Sequence, residues 1–95
     1  MDFGAWEGLR WDAIPRTELD AWAADLMHAR PHGGETVAEL AARTRAVLGD
    51  LARGPRPVLA VTHAGVVKAA RAGRQGPVAW KGTLPFGGWE TVAGL

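Results

Sequence analysis

One histidine between an apolar run and a helix start is the most informative candidate for chemistry in this sequence. The segment Val61–Gly65 reads Val-Thr-His-Ala-Gly, so His63 follows a predicted buried strand and precedes a predicted helix. Ligands bind at this position in open α/β sheets, and the unpaired N–H groups of a helix N-terminus favour an anion such as phosphate. Ala64 and Gly65 are small enough to let a ligand approach the backbone. The alternative is that His63 only caps the strand and the helix through its ring nitrogens.

Two other segments contain candidate polar groups that also have simpler structural explanations. Residues 3–9 alternate aromatic residues with glycines and include Glu7, which could act as an acid or base. Glu7 could equally be a solvated or N–H-bonded structural carboxylate, and the aromatic residues could anchor an irregular segment on the core. His32 precedes residues 33–36, Gly-Gly-Glu-Thr, whose types are typical of a turn and a capped helix start. His32 itself could lean into the mouth of an active site.

The elements that would position these residues include both helices and strands, in an order that indicates an α/β layered domain with part of its sheet missing. Thr36 and Glu39 have the spacing of a helix N-terminal capping box, and apolar residues follow at helical intervals. The run before His63 is apolar and β-branched, as in a strand buried on both faces. The predicted order is a loop over 1–16, a helix from Thr17 to before Pro31, a helix over 36–53, a strand over 57–62, a helix over 66–72 that ends at Gly73, and two short extended pieces over 83–95.

Composition excludes several classes of function. The chain has 95 residues, of which 47% are hydrophobic and 22% are charged, and this is the balance of one small globular domain. Its net charge of +1 gives no reason to expect nucleic acid or a membrane as a partner. The sequence contains neither cysteine nor serine, so disulfides, thiolate chemistry and a serine nucleophile are excluded, and we predict no metal site. The first residues do not resemble a signal peptide, and we expect a cytoplasmic protein.

Three segments, in order along the chain, resemble the histidine phosphatases of the phosphoglycerate-mutase-like superfamily, and in particular the branch that includes α-ribazole phosphatase. Residues 2–8 are similar to that branch's D-F-G-x-W-E-G segment. Residues 33–36 with a downstream arginine, Arg43 or Arg45, resemble its G-G-E-S…R helix start, with threonine in place of serine. Residues 61–67 resemble V-T-H-G-G-V-I, with alanine in place of the first glycine.

The resemblance implies a three-layer α/β domain with a mixed, mostly parallel sheet flanked by helices, of which residues 1–95 would be the C-terminal half. It implies hydrolysis of a phosphomonoester through a phosphohistidine, without metal or cofactor. His63 matches the family's second histidine, which stabilises the charge on the transferring phosphoryl group, and the Ala64 and Gly65 amides would help to bind phosphate. The implied substrate is a small phosphorylated metabolite.

The sequence departs from the family pattern in one decisive respect. It contains no Arg-His-Gly tripeptide, the motif that carries the attacking histidine. The family's acidic residue would stand immediately before Met1, and only Glu7 or Asp2 could replace it. We therefore expect an N-terminally truncated domain that is inactive as this isolated chain. The alternatives are a non-catalytic module that binds phosphate or a phosphometabolite, and an interaction module that self-associates through an exposed sheet edge.

Overall fold

Three α-helices and three short 3₁₀ helices form the regular structure of residues 1–55, 57–85 and 87–91, the part of the chain that the computed structural model describes. The α-helices are α1 (Arg16–Ala24), α2 (Val37–Ala52) and α3 (Ala64–Gln75), and the 3₁₀ helices span Gly4–Trp6, Trp11–Ala13 and Pro77–Lys81. Contacts divide the chain into two compact units, Met1–Leu40 and Ala41–Leu95, hereafter unit 1 and unit 2. The boundary between them falls inside α2.

The predicted helix over 36–53 is confirmed as α2, with bounds that differ by one residue at each end. The Thr36 hydroxyl accepts a hydrogen bond from the backbone N–H of Glu39 at 3.1 Å, which satisfies one of the amides that a helix start leaves unpaired. Buried residues recur every three or four positions along its first two turns, as an amphipathic helix requires: Val37, Leu40, Ala41 and Thr44.

The first predicted helix is shorter than its apolar pattern indicates. We expected Thr17 to cap it, but α1 begins at Arg16, directly after Pro15, whose carbonyl accepts the N–H of Glu18 at 3.0 Å. Proline has no N–H, so residue 15 itself adds no unpaired donor at this helix start. The helix ends before Asp25, whose φ of −142° and ψ of 66° lie outside the helical region.

The third helix is longer than predicted, because it begins at Ala64 and continues past Gly73 to Gln75, with Gly76 as its C-cap. Gly76 has a φ of +82°, which glycine adopts without steric cost, and its N–H donates to the Ala72 carbonyl at 2.9 Å. The chain then forms the 3₁₀ helix Pro77–Lys81, which packs against α3. Ala69 of α3 and Ala79 of the 3₁₀ helix are both buried in unit 2.

The predicted α/β fold class is wrong for the described residues, in which no strand or sheet occurs. Residues 57–62, the predicted central strand, are irregular, and the side chains of Leu59 and Val61 are 89% and 92% exposed. A strand exists only when a second strand satisfies its backbone hydrogen bonds, and the described residues supply none. The second predicted strand region is likewise irregular over 83–85 and 87–91, and its remainder lies outside the described residues.

None of the described helices is long and apolar enough to cross a bilayer. The longest, α2, has 16 residues, whereas a membrane-spanning helix needs about 20 apolar ones.

Candidate functional site

His63 stands at the N-terminus of α3, where the sequence predicted it. Its backbone is extended, with a φ of −113° and a ψ of 161°, and its carbonyl accepts the N–H groups of Val66 and Val67 at 3.0 and 3.4 Å. The side chain makes no capping hydrogen bond to the helix, and the residue is exposed. The imidazole is therefore open to solvent at a helix N-terminus, and it does not act as the cap that we considered as an alternative.

The first turn of α3 favours a negative charge. Its unpaired N–H groups point away from the helix, and the aligned peptide dipoles place a partial positive charge at this end. Ala64 and Gly65 open the helix without bulky side chains, and the first turn contains no acidic residue. Lys68 follows one turn later and is partly buried. An anion near His63 would thus meet amide donors and no carboxylate of this helix turn.

The two candidate acids both accept backbone hydrogen bonds within unit 1. A carboxylate oxygen of Glu7 accepts the N–H of Phe3 at 2.7 Å, and a carboxylate oxygen of Asp2 accepts the N–H of Gly4 at 2.8 Å. Both residues remain exposed. These contacts match the structural role that we considered for Glu7, and they leave its second oxygen available for acid or base chemistry. Asp2 and Glu7 belong to unit 1, whereas His63, Ala64 and Gly65 belong to unit 2.

The segment 2–5 and the segment 32–35 lie against each other in unit 1. The N–H of Glu35 donates to the Asp2 carbonyl, and the N–H of Ala5 donates to the His32 carbonyl, both at 2.8 Å. The backbones approach so closely that only glycine fits at the crossing. A Cβ on Gly34 would lie 2.4 Å from the Asp2 carbonyl oxygen, and one on Gly4 would lie 2.3 Å from the His32 carbonyl oxygen.

His32 is buried within an aromatic cluster and does not line an open site, in contrast to the active-site mouth that we considered. The residue is 3% exposed, and its Nδ1 accepts the N–H of Gly34 at 2.8 Å. Its ring packs edge-to-face against Trp6 and Phe3, with ring centroids 4.9 and 5.8 Å apart. Its Nε2 has no hydrogen-bond partner among the described residues. No local pattern indicates this burial, because the ring contacts come from a segment about thirty residues earlier.

A shallow cleft of about 170 Å³ lies in unit 1 and includes one face of the aromatic cluster. Its floor contains Trp6 and Ile14, which are buried, and its rim contains Trp11, which is 58% exposed. Glu7 is the one charged residue that lines it. The complete lining is Phe3, Trp6, Glu7, Gly8, Leu9, Trp11 and Ile14.

The arginines of unit 2 differ in their surroundings. Arg45, one of the two candidates for the family's downstream arginine, is exposed on α2, as is Arg43, which has a partner in the structure. Arg71 of α3 is 19% exposed and holds both carboxylate oxygens of Glu90, at 2.9 and 3.1 Å. This pair was not predicted, because two residues 19 positions apart leave no periodic signal in the sequence.

The described residues contain no group of three or more side chains that could hold a metal ion. His28 and His32 are four residues apart, the spacing of two ligands on one helix, but both lie in turns. The His28 side chain is exposed, whereas His32 is buried.

Comparison with known proteins identifies the family. The model of the histidine phosphatase superfamily, branch 1, matches residues 1–80. The chain belongs to this superfamily. The match covers both segments that cross in unit 1 and the His63 helix start in unit 2, so it agrees with the resemblance found in the three sequence segments.

One relative of this histidine phosphatase family member is a phosphatase whose name states its substrate. The chain is 31% identical over 106 aligned residues to glucosyl-3-phosphoglycerate phosphatase of Mycobacterium tuberculosis, in the sequences of strains CDC 1551 / Oshkosh and ATCC 25618 / H37Rv. The alignment covers 97% of this chain and 44% of the relative, so the chain spans less than half the length of the protein it matches. No solved structure matches the chain significantly.

Proposed function

We propose that this chain supplies the second histidine of a phosphomonoester-hydrolysing site, and that the isolated chain binds phosphate without hydrolysing esters. Membership of the histidine phosphatase superfamily indicates phosphatase chemistry. The observation that carries the assignment of residues is the exposed imidazole of His63 at an α3 N-terminus that has no acid in its first turn. His63 and the amides of Ala64 and Gly65 would donate hydrogen bonds to phosphate oxygens.

The proposed inactivity follows from the chemistry of phosphoryl transfer. The reaction needs a nucleophile in line with the leaving oxygen, and stabilisation of the phosphoryl charge cannot replace it. The 95 residues contain no Arg-His-Gly tripeptide, and His32, which stands before a glycine, is 3% exposed and inaccessible to a substrate. Glu7 could donate a proton to a leaving alcohol through its free oxygen, but an acid without a nucleophile does not complete the reaction.

We further propose a small phosphorylated metabolite as the ligand class and a cytoplasmic location. The relative's name describes a phosphatase that acts on a phosphorylated glycerate carrying a glucosyl group, and residues 2–8 resemble the α-ribazole phosphatase branch. The two substrates, glucosyl-3-phosphoglycerate and α-ribazole phosphate, are phosphomonoesters of small polar molecules. A panel containing glucosyl-3-phosphoglycerate, α-ribazole phosphate and inorganic phosphate, titrated against the chain, would separate general phosphate binding from a preference for either ester.

The binding proposal is tested by titrating inorganic phosphate into the ¹⁵N-labelled chain and following amide chemical shifts. We expect saturable shifts concentrated at residues 63–66. Because a charge-assisted hydrogen bond contributes about 1.5–3 kcal/mol, His63→Asn should weaken binding by roughly tenfold or more. His28→Asn is the matched control, because His28 is also exposed but lies in unit 1, and it should leave the affinity unchanged. Equal binding by the His63→Asn variant, or shifts that do not saturate, would overturn the assignment.

The inactivity proposal is tested by hydrolysis of a generic aryl phosphate. We expect no release of phosphate above the uncatalysed rate by the purified chain. Turnover that disappears in His63→Ala would show that the chain contains a working nucleophile and would refute the proposal. Turnover that instead disappears in Glu7→Gln and persists in His63→Ala would refute both the inactivity and the role of His63.

A further inference from the structure

The cleft of unit 1 has aromatic walls, and Glu7 supplies its charge. The ring of Trp11 stands at 87° to that of Phe3 and at 72° to that of Trp6, with centroids 5.9 and 6.4 Å apart. Two rings that stand nearly upright on a third form a corner, in which a bound group contacts more than one ring at once. No basic side chain of the described residues lines this cleft.

Contacts within unit 1 hold these rings in place without filling the cleft. Trp6 is 4% exposed, and its indole N–H donates to a carboxylate oxygen of Glu18 at 3.3 Å. Trp22, which does not line the cleft, lies nearly parallel to Trp11, at an angle of 18° and with the ring centroids 6.4 Å apart. Trp11 nevertheless remains 58% exposed, so part of its ring is open to a ligand.

The charge of unit 1 favours a cation as the ligand of this cleft. Unit 1 has eight acidic and three basic residues, a net charge of −5, whereas unit 2 has two acidic and eight basic residues, a net charge of +6. At the cleft, one carboxylate oxygen of Glu7 accepts the Phe3 N–H at 2.7 Å, which leaves the other oxygen for a ligand. The faces of aromatic rings are negative, so the walls and the carboxylate attract the same kind of ligand.

We propose that this cleft binds the quaternary ammonium group of a small molecule. Aromatic faces attract such a cation, and a group without N–H donors leaves no hydrogen bond unsatisfied among them. A primary ammonium group has several donors, whereas Glu7 is the one acceptor among the described side chains that line the cleft. A cavity of about 150 Å³ holds one benzene molecule. The cleft, of about 170 Å³, therefore has room for a group the size of tetramethylammonium.

The site is tested by titrating tetramethylammonium chloride into the ¹⁵N-labelled chain at constant ionic strength and following the tryptophan indole N–H signals. We expect saturable shifts at Trp6 and Trp11. Trp89, which is 83% exposed in unit 2, reports non-specific contact between the cation and an indole, and its signal should not saturate. tert-Butanol, a neutral molecule of similar shape, should bind several-fold more weakly. Shifts without saturation, equal binding of tert-butanol, or the same response at Trp89 would overturn the proposal.

Substitutions in the cleft separate the contribution of the carboxylate from that of the rings. Glu7→Gln keeps the oxygen that accepts the Phe3 N–H and removes only the charge, so it should weaken tetramethylammonium binding by roughly fivefold. Asp25→Asn is the matched control, because Asp25 is an exposed acid of unit 1 that does not line the cleft, and it should change the affinity little.

Trp11→Leu should weaken tetramethylammonium binding by roughly fivefold or more, whereas Trp11→Phe, which retains an aromatic ring, should weaken it less. Circular dichroism of each variant verifies that the helices are retained. Unchanged affinity in Glu7→Gln or Trp11→Leu, or an equal loss in Asp25→Asn, would refute the proposed site.

Discussion

Replacement of Gly34 by alanine tests the account of the crossing between segments 2–5 and 32–35. The added Cβ would lie 2.4 Å from the Asp2 carbonyl oxygen and 2.7 Å from the Gly4 nitrogen. Ordinary contacts of this kind are about 3.5 Å, so the two backbones must separate by roughly 1 Å. Both atoms belong to backbone, which cannot turn away as a flexible side chain would. The substitution therefore disturbs the crossing itself.

The expected cost can be worked out from the contacts that the separation breaks. Two backbone hydrogen bonds of 2.8 Å join the segments, from Glu35 to Asp2 and from Ala5 to His32. Each contributes about 0.5–1.5 kcal/mol, and overpacking at a rigid site typically adds about 1–3 kcal/mol. We expect Gly34→Ala to lower the free energy of unfolding by about 2–6 kcal/mol. For a domain of this size the corresponding fall in Tm is roughly 10 °C or more.

Two further glycine-to-alanine substitutions separate steric conflict from backbone conformation. Gly33 has a φ of +74° with nothing near its Cβ position, so Gly33→Ala should cost only the roughly 1–2 kcal/mol of a left-handed alanine. Gly73 lies inside α3 with open space around it, so Gly73→Ala should stabilise the chain by about 0.5–1 kcal/mol. Urea denaturation followed by circular dichroism and tryptophan fluorescence gives all three values. Wild-type stability in Gly34→Ala, or a larger loss in Gly33→Ala, would refute the steric account.

Two smaller predictions concern the cap of α2 and the half-buried ion pair of Arg71 and Glu90 in unit 2. Thr36→Ala removes the acceptor of the Glu39 N–H and should lower the free energy of unfolding, measured by urea denaturation, by about 1 kcal/mol. Thr36→Ser keeps the acceptor and should lower it less. Equal losses would contradict the capping role. Glu90→Gln removes the charge held by Arg71 and should lower the free energy of unfolding by about 1–2 kcal/mol. Asp20 pairs with Arg16, and their side chains are 67% and 87% exposed, so Asp20→Asn should lower it by less than about 0.5 kcal/mol. The reverse order would contradict the role of burial.

Local signals predicted the second helix to within one residue, because everything that defines it lies within the helix or beside it. The hydroxyl of Thr36 caps it, and the apolar residues that it buries recur at its own period. The end of α3 was harder to predict. Gly73 and Gly76 are equivalent as residue types, and only the backbone conformation, with Gly76 at a φ of +82°, distinguishes the one that ends the helix.

The lack of a sheet in the described residues could not be predicted from the same kind of pattern. Residues 57–62 have the composition of a buried strand, but strand formation depends on a partner elsewhere in space, and composition carries no information on whether the partner exists. Among the described residues no second strand pairs with residues 57–62, and the segment is irregular and exposed. The burial of His32 was missed for a related reason, because Phe3 and Trp6, which enclose its ring, are distant in sequence.

Two of the three segments that resemble the family, residues 2–8 and 33–36, take part in the crossing of backbones in unit 1. Gly4 and Gly34 are required by the approach of two backbones, and Asp2 and Glu7 satisfy nearby amides. Packing alone therefore accounts for much of these two segments. No such contact accounts for His63, whose ring is exposed and makes no bond to the helix that it precedes. The His63 side chain makes no hydrogen bond that would stabilise this helix start, so a test of the proposed phosphate binding should begin at this residue.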